Sequence, residues 1–419
     1  MASSSTSLLC SLLFFFVLLV FPANAQNGVP LSLKKDPKTR QYYTTITMGS
    51  NRSPINVIID IGGPYLWFSC NDYKSNTYAP IPCGSPKCEL AKGIGCYGCN
   101  LPKRPGCTND TCAASPYNPF TNMLVSQGFY EDSFHPAGRL APLPRYIFSC
   151  MDKDYLEGLA SGTTGMLGLG RTDISLHKQV AGVFGFADKF SVCFPSSSSS
   201  LGFGKLLVGG IVFTESTIAT KTTPLVVNPV STYPIFVEGE RSDEYFIGVK
   251  SIRVAGETVS VKDSYFAIDK NGVGGTKISS LQNFTALHNS IYKPFARAFV
   301  KAAANMKIKS AAAVAPFRAC FKSETITRTA AGALVPDIDF VLPGNDVYWR
   351  ISGANAMVEV DRKTSCLAFV DGGSEPRSSI VIGGHQMEEN FLEFDLVNSQ
   401  LKFSSSLLVQ NKTCSNVIV

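Results

Sequence analysis

Residues 57–70 read VIIDIGGPYLWFSC. An apolar run of strand character ends in Asp60, two glycines turn the chain, and an aromatic strand follows that ends in Cys70. A lone carboxylate at the end of a buried strand is costly to ionise unless donors surround it. Asp60 is therefore either half of a catalytic pair or the remnant of one. The choice depends on whether the chain supplies a second carboxylate.

The chain has 419 residues, 45% hydrophobic and 17% charged, which fits a globular protein with room for two core-bearing domains and excludes disorder. Residues 8–22, LLCSLLFFFVLLVFP, form an apolar stretch of secretory-leader length, and Ala23 and Ala25 supply the small residues of a cleavage site. The pattern predicts a signal peptide over 1–25 and a secreted chain from Gln26. An uncleaved anchor is the rival, since the leader lacks Lys and Arg, but the run is short for a membrane span. No second span is read, and the tail CSNVIV shows no lipid-anchor signal. The leader has no charged side chains, so the net charge of +6 falls on the remainder. That is mildly basic: no Lys/Arg block makes a nucleic-acid footprint, and weak attraction to acidic polysaccharide is the most it supports.

Thirteen cysteines become twelve when Cys10 leaves with the leader, an even number suited to six disulfides in an oxidising compartment. From Cys83 the gaps run x4, x7, x2, x7, x4 through Cys88, Cys96, Cys99 and Cys107 to Cys112. The palindrome suggests nested closure, Cys83–Cys112, Cys88–Cys107 and Cys96–Cys99, with Cys70 and Cys150 pairing outside it. Spacing alone leaves the connectivity open. A metal knuckle at CYGC is the alternative, disfavoured where no histidine stands nearby. His135, His177, His288 and His385 share no metal-ligand spacing, so neither metal nor cofactor is expected.

Strand-like segments dominate, among them QYYTTITMG, INVIIDIGG, RYIFSC, GKLLVGGIVF, EYFIGVKSIRVAG and SIVIGGHQ. The clearest helix is HNSIYKPFARAFVKAAANM, with Ile291, Phe295, Ala298, Phe299 and Ala302 on one face and Pro294 near its start. Ser196–Ser200 reads as a loop, and TTPLVVNPVSTYP as a crossover between halves. The expected fold is mainly β and two-lobed: an N-terminal lobe over 26–221 with a Cys-rich insertion at 70–112, and a C-terminal lobe over 222–419. The halves echo each other, NVIIDIGG against GGTKISSLQNFTAL and GMLGLGR against SIVIGGHQ, as in folds that set one loop from each half face to face.

These segments resemble the pepsin-like aspartic proteases. IIDIGGPYLWFSC is similar to their first catalytic loop, Asp-Thr-Gly-Ser, and GMLGLGR (165–171) to the element crossing beneath it. SIVIGGHQMEENFLEFDLVNSQLKFS is similar to the C-terminal counterpart and closing strands. Such a protease needs two carboxylates sharing one proton, one acting as base and the other as acid. Aligning FTAL (284–287) with the strand after the second loop puts Ser279 at the second aspartate's position. Shifting the gap brings in only GGTK, and Asp269 lies too far upstream. In the first loop Ile61 replaces the Thr that ties the loops together, and Gly63 replaces the Ser that hydrogen-bonds the carboxylate. Losing positioned acid–base work costs about 10²–10⁴-fold. The expectation is a pseudo-peptidase in which Asp60 is a remnant held by the Gly62–Gly63 turn.

DEYFIGVKSIRV (243–254), GVGGTKIS (272–279) and SIVIGGHQME (379–388) narrow the resemblance to plant secreted homologues that lost the dyad. That group includes extracellular dermal glycoprotein, xyloglucan-specific endoglucanase inhibitors, wheat-type xylanase inhibitors, basic 7S globulin and gamma-conglutin. It implies an apoplastic defence protein whose partner is a microbial glycoside hydrolase; a storage or ligand-binding globulin is the alternative, and an active endopeptidase the remoter one. In the inhibitors a loop before the last cysteine enters the target's cleft and engages its paired carboxylates. Here that loop is LLVQNKT (407–413), with Gln410, Asn411 and Lys412 as contacts, and the resemblance anchors it by a Cys193–Cys414 bond, leaving Cys320 to pair with Cys366. Asn411 begins a sequon where the endoglucanase inhibitors offer Arg, and Lys412 lacks Arg's bidentate fork. Arg328, in ETITRTAAGALVP (324–336), is a second candidate. Further sequons begin at Asn109 and Asn283; a third, at Asn51, is followed by Pro54.

Overall fold

Two parallel strand pairs organise the chain. In the first, Ser53–Asp60 runs alongside Gly165–Gly168, with Ile59 opposite Leu167 and Asp60 opposite Gly168. In the second, Thr276–Ile278 runs alongside Ile380–Ile382, with Ile278 opposite Ile382. An antiparallel segment flanks each, Trp67–Ser69 on Gly165–Gly168 and Thr285–Leu287 on Ile380–Ile382. Val57, Ile58 and Ile59 are fully buried, which is why this strand reads as a continuous apolar run instead of alternating. Gly165 is required there: a Cβ would lie 2.1 Å from the Trp67 carbonyl oxygen.

The computed structural model describes residues 28–138, 140–196, 203–209 and 218–417. The leader (1–25) and Ser197–Ser200 lie outside the described residues. A six-stranded antiparallel sheet joins the halves. From the first half come Val29–Lys35, Gly204–Val208 and Lys189–Cys193; from the second, Phe391–Asp395, Gln400–Phe403 and Lys221–Val226. The seam is Lys189–Cys193 against Phe391–Asp395, where the Phe190 and Phe394 rings stack at 4.7 Å. One apolar core runs through both halves across this sheet, and a second lies beneath the Cys-rich insertion. The fold is the mainly β, two-lobed pepsin-like one.

The expected helix forms over Asn289–Asn305 and buries Ile291, Tyr292, Phe295, Phe299 and Ala303. Pro294 is the sixth helical residue, past the first turn, so the helix forgoes the bond its N–H would make to the Ser290 carbonyl. EYFIGVKSIRVAG divides into two strands, Tyr245–Ile247 and Ser251–Val254, which join different sheets.

Six disulfides close, but the Cys-rich insertion is wired differently from the nested expectation. The structure joins Cys83 to Cys96, Cys88 to Cys112 and Cys99 to Cys107, in place of Cys83–Cys112, Cys88–Cys107 and Cys96–Cys99. The short helix Pro86–Leu90, capped by the Ser85 side chain, turns Cys88 inward onto Cys112. The chain then doubles back at Gly93, where a Cβ would collide with both sulfurs of that bond, and Cys96 arrives beside Cys83. The Arg104↔Cys107 bridge and the Asn109 side chain on the Cys99 amide fold the remaining segment onto itself. The other three bonds are Cys70–Cys150, Cys193–Cys414 and Cys320–Cys366.

Candidate functional site

Asp60 stands on the floor of a cleft of about 570 Å3 between the lobes, walled by Tyr65, Trp67, Tyr117, Phe120 and Tyr233. Its Oδ1 accepts from the Gly62 amide at 3.0 Å. A Cβ on Gly63 would sit 2.6 Å from Oδ2, so the glycine leaves the carboxyl the space a side chain would take. Ser279 follows Ile278, which pairs with Ile382 of the second parallel pair, and Asp60 follows Ile59, which pairs with Leu167 of the first. Ser279 also lines the cleft, and its Oγ accepts from the Leu281 amide at 3.3 Å.

The neighbouring Ser280 ties the two loops together. Its Oγ donates to the Ile59 carbonyl at 2.7 Å and accepts from the Ile61 amide at 3.0 Å. Ile61 carries no hydroxyl to return the bond, and its side chain is buried in the core.

Two charged groups here were missed in the sequence. Glu244 packs over Gly62, and its oxygens receive the Lys277 ammonium at 2.8 Å and the Thr232 hydroxyl. Burial, and then Glu244, push the Asp60 carboxyl up to about 7, while the Gly62 amide, Lys277 and the Gly63 amide pull the other way. Lys277 was legible: it lies two residues before Ser279 and shares its strand face by the period of two. Glu244 was not, because it reaches the site only through the packing of its loop on the first lobe. Tyr233 closes that packing, donating to the Ser115 carbonyl at 2.8 Å and meeting Tyr117 edge to face.

Ser175, His177 and Asp188 align like a hydrolytic triad, at 2.8 and 2.6 Å. Ser175 and His177 are buried, and the Ser175 hydroxyl donates to the Thr172 carbonyl. No substrate reaches that serine, and the three form a structural bracket. Among the described residues no three His, Cys, Asp or Glu side chains cluster in metal-binding geometry.

The segment before Cys414 is a short 3-10 turn, Leu407–Gln410, followed by Asn411 in the left-handed region at φ 54°. Gln410 and Asn411 are exposed, and Lys412 is half-buried. The base is pinned by Cys193–Cys414 and by Glu389, whose carbonyl accepts from Leu407 N at 2.7 Å and whose carboxylate accepts from Cys414 N at 2.6 Å. Arg328 stands apart on the hairpin of Arg328–Thr329 and Gly332–Ala333, ion-paired with the exposed Glu359. None of these four candidates lines the cleft. Asn109 and Asn51 are exposed, and the Asn51 amide donates to the Lys74 carbonyl. The Asn283 amide is engaged: it donates to the Thr39 carbonyl at 3.0 Å, and Thr285 of its sequon is buried against Gln386.

Residues 42–210 match the family model described as xylanase inhibitor N-terminal, and residues 244–405 the one described as xylanase inhibitor C-terminal. A Nicotiana benthamiana protein named probable aspartic proteinase GIP2 is 43% identical over 98% of this chain and 96% of its own length. The chain belongs to the xylanase-inhibitor family of pepsin-like proteins. Members of this family similar to it include gamma conglutin 1 of Prunus dulcis, 34% identical over 93% of this chain and 89% of its own. Among solved structures, that of edgp aligns with TM-score 0.89 at 42% identity, covering 94% of this chain and 98% of that one. Soybean basic 7S globulin aligns at 0.80 and 29%, covering 94% and 99%.

Proposed function

We propose that this chain is a secreted, catalytically silent member of the family that inhibits a microbial cell-wall glycoside hydrolase, a xyloglucan endoglucanase or a xylanase, in plant defence. The observation that carries the reading is the pinned turn at 407–413, exposed at residues 409–411, on a chain whose cleft is lined by Asp60 and Ser279. The Glu244 oxygens are engaged by Lys277 and Thr232, and where the repeat of the halves calls for a second aspartate the chain carries Ser279, which has no carboxyl to share a proton with Asp60. The tip, held at both ends, has little entropy to lose on docking, so a charge-assisted contact from Lys412 or a neighbour would be preorganised. The same reading removes residues 1–25 as a leader, divides the rest into lobes 26–221 and 222–419, and places the protein in the apoplast, with glycans at Asn109 and, less readily, Asn51.

A storage or ligand-binding globulin is the second reading. It is favoured by the relatives named gamma conglutin and basic 7S globulin and by the sequon at the tip itself, where a glycan would obstruct a narrow cleft. The deciding experiment titrates native protein and Asn411→Arg against a fungal xyloglucanase and a xylanase, with glycan occupancy read by mass spectrometry and casein digestion at acid pH run alongside. Removing the sequon and adding a guanidinium should raise affinity by about tenfold or more, from a charged hydrogen bond of about 1.5–3 kcal/mol. Pepstatin-sensitive casein cleavage would sink the silent reading. Equal binding of both forms, with the glycan present on the native one, would move the contact to the Arg328 loop.

A further inference from the structure

On the far side of Tyr233 from Asp60 a second cavity, of about 500 Å3, lies between the Cys-rich insertion and the 231–243 loop of the second lobe. Leu90 and Ile94 line it from the insertion, Phe129 and Ile174 from the first lobe, and Phe236 and Val237 from the loop. Scattered exposed apolar side chains are ordinary on a protein surface, but here Ile94 (52% exposed), Phe236 (42%) and Val237 (63%) gather around one opening. The floor is made of small residues, Ala113 and Ala114, and the rim is stiffened by the Cys83–Cys96 and Cys88–Cys112 bonds. Its volume falls within the range of small-molecule sites.

One carboxylate in this lining, half-exposed and shared with the Asp60 cleft, has no protein donor among the described residues. Asp243 faces the cavity, and no described residue donates a hydrogen bond to its carboxylate, although its backbone carbonyl accepts from Arg171 N at 2.9 Å. Burial is the main influence holding this carboxyl up, at about 6, and Lys92 and Arg171 act against it from a distance. At the mouth, Lys92 and Glu240 form a loose pair at 3.8 Å, one from each side. An apolar chamber with a single unpaired acceptor at one end is the arrangement by which small-molecule sites fix orientation.

We infer that this cavity binds a small amphipathic molecule, with a flat apolar body of one or two rings and an amine or hydroxyl that donates to the Asp243 carboxylate. The inference does not depend on the inhibitor reading, since neither the tip nor Arg328 lines the cavity. The test uses the mature protein and two fluorescent probes with a shared skeleton: N-phenyl-1-naphthylamine, and its sulfonated counterpart 8-anilinonaphthalene-1-sulfonate, which carries an anion beside the N–H. The neutral probe should bind saturably at one site, about tenfold or more tighter than the sulfonate. Ile94→Glu and Val237→Glu, both at exposed positions that leave the core intact, should each weaken it by about tenfold. Asp243→Asn should narrow the gap between probes to about threefold or less. Non-saturable binding, equal binding of the two probes to native protein, or native-like binding by both glutamate variants would overturn the assignment.

Discussion

Glu389 holds both ends of the tip, and its removal has a consequence that can be worked from the structure. The residue is buried and left-handed, at φ 53°. Its amide donates to the Phe194 carbonyl, and its own carbonyl accepts from Leu407. Its Oε1 accepts from the Ser196 amide and hydroxyl, both at 2.9 Å, and its Oε2 from the Cys414 amide. Glu389→Ala leaves the backbone strain unchanged, because both are L-residues, and deletes only the carboxylate bonds. Ser196 is exposed and rehydrates, whereas Cys414 is buried and its amide is left without an acceptor. One stranded buried donor plus lost charge-assisted bonds costs about 2–4 kcal/mol. For roughly 390 folded residues the unfolding entropy is about 0.8 kcal/mol per degree, so Tm should fall by about 2–5 °C. Calorimetry reads that shift, and hydrogen exchange locates it: amides 407–414 should exchange faster while 57–70 and 380–387 stay as in native protein. Glu389→Gln, which keeps one acceptor oxygen, should fall between. An unchanged exchange rate at 407–414 despite a lower Tm would refute the anchoring role.

Other outcomes follow from the same geometry. Because folding raises the Asp60 carboxyl to about 7 from an unfolded value near 3.8, the folded state holds the extra proton between those pH values and stability falls as pH rises through the window. Asp60→Asn removes that fall, so thermal melts should match native at pH 4 and show a gain of about 1–3 kcal/mol at pH 7.5; an equal gain at both would exclude the linkage. Asn283 should carry no glycan in peptide maps of secreted material, because its amide is bonded to Thr39; a sugar found there would require the Thr39–Asn283 contact to be absent. Non-reducing peptide mapping should recover Cys83–Cys96, Cys88–Cys112 and Cys99–Cys107, and recovery of a Cys96–Cys99 loop would contradict the fold of the insertion.

The central strands were legible because strands buried on both faces must be apolar throughout, and few other elements produce runs such as VII before Asp60. The proposal for Ser279 rests on the chain repeating itself, so that a loop in one half predicts its counterpart in the other. The disulfide wiring was not. A palindrome of spacings assumes an extended hairpin, and the Pro86–Leu90 helix and the reversal at Gly93 break that assumption. TTPLVVNPVSTYP reads as a crossover, yet its first part is a strand of the joining sheet and its last part carries Tyr233 over the cleft. Glu244, Glu389 and Asp243 share one reason for staying hidden: each is placed by contact between segments far apart in sequence.

The proposed exchanges at positions 61 and 279 fall on the two loops that the Ser280 hydroxyl ties together. Tying two loops by reciprocal hydroxyl bonds fixes the separation of whatever side chains they carry, which a proton-sharing pair requires to within fractions of an ångström. A chain that need not hold two carboxylates together can give up one of those bonds for apolar packing. Ile61 is fully buried, and each methylene it adds in place of a hydroxyl-bearing side chain stabilises by about 0.8 kcal/mol. It cannot give up both, because the loops are also where the lobes meet. The Ser280 hydroxyl is the direct link from the second loop to both sides of Asp60, through Ile59 and Ile61. The Ser280 bonds hold the second loop against the strand of Asp60, beside the cleft that Tyr233 and Glu244 line.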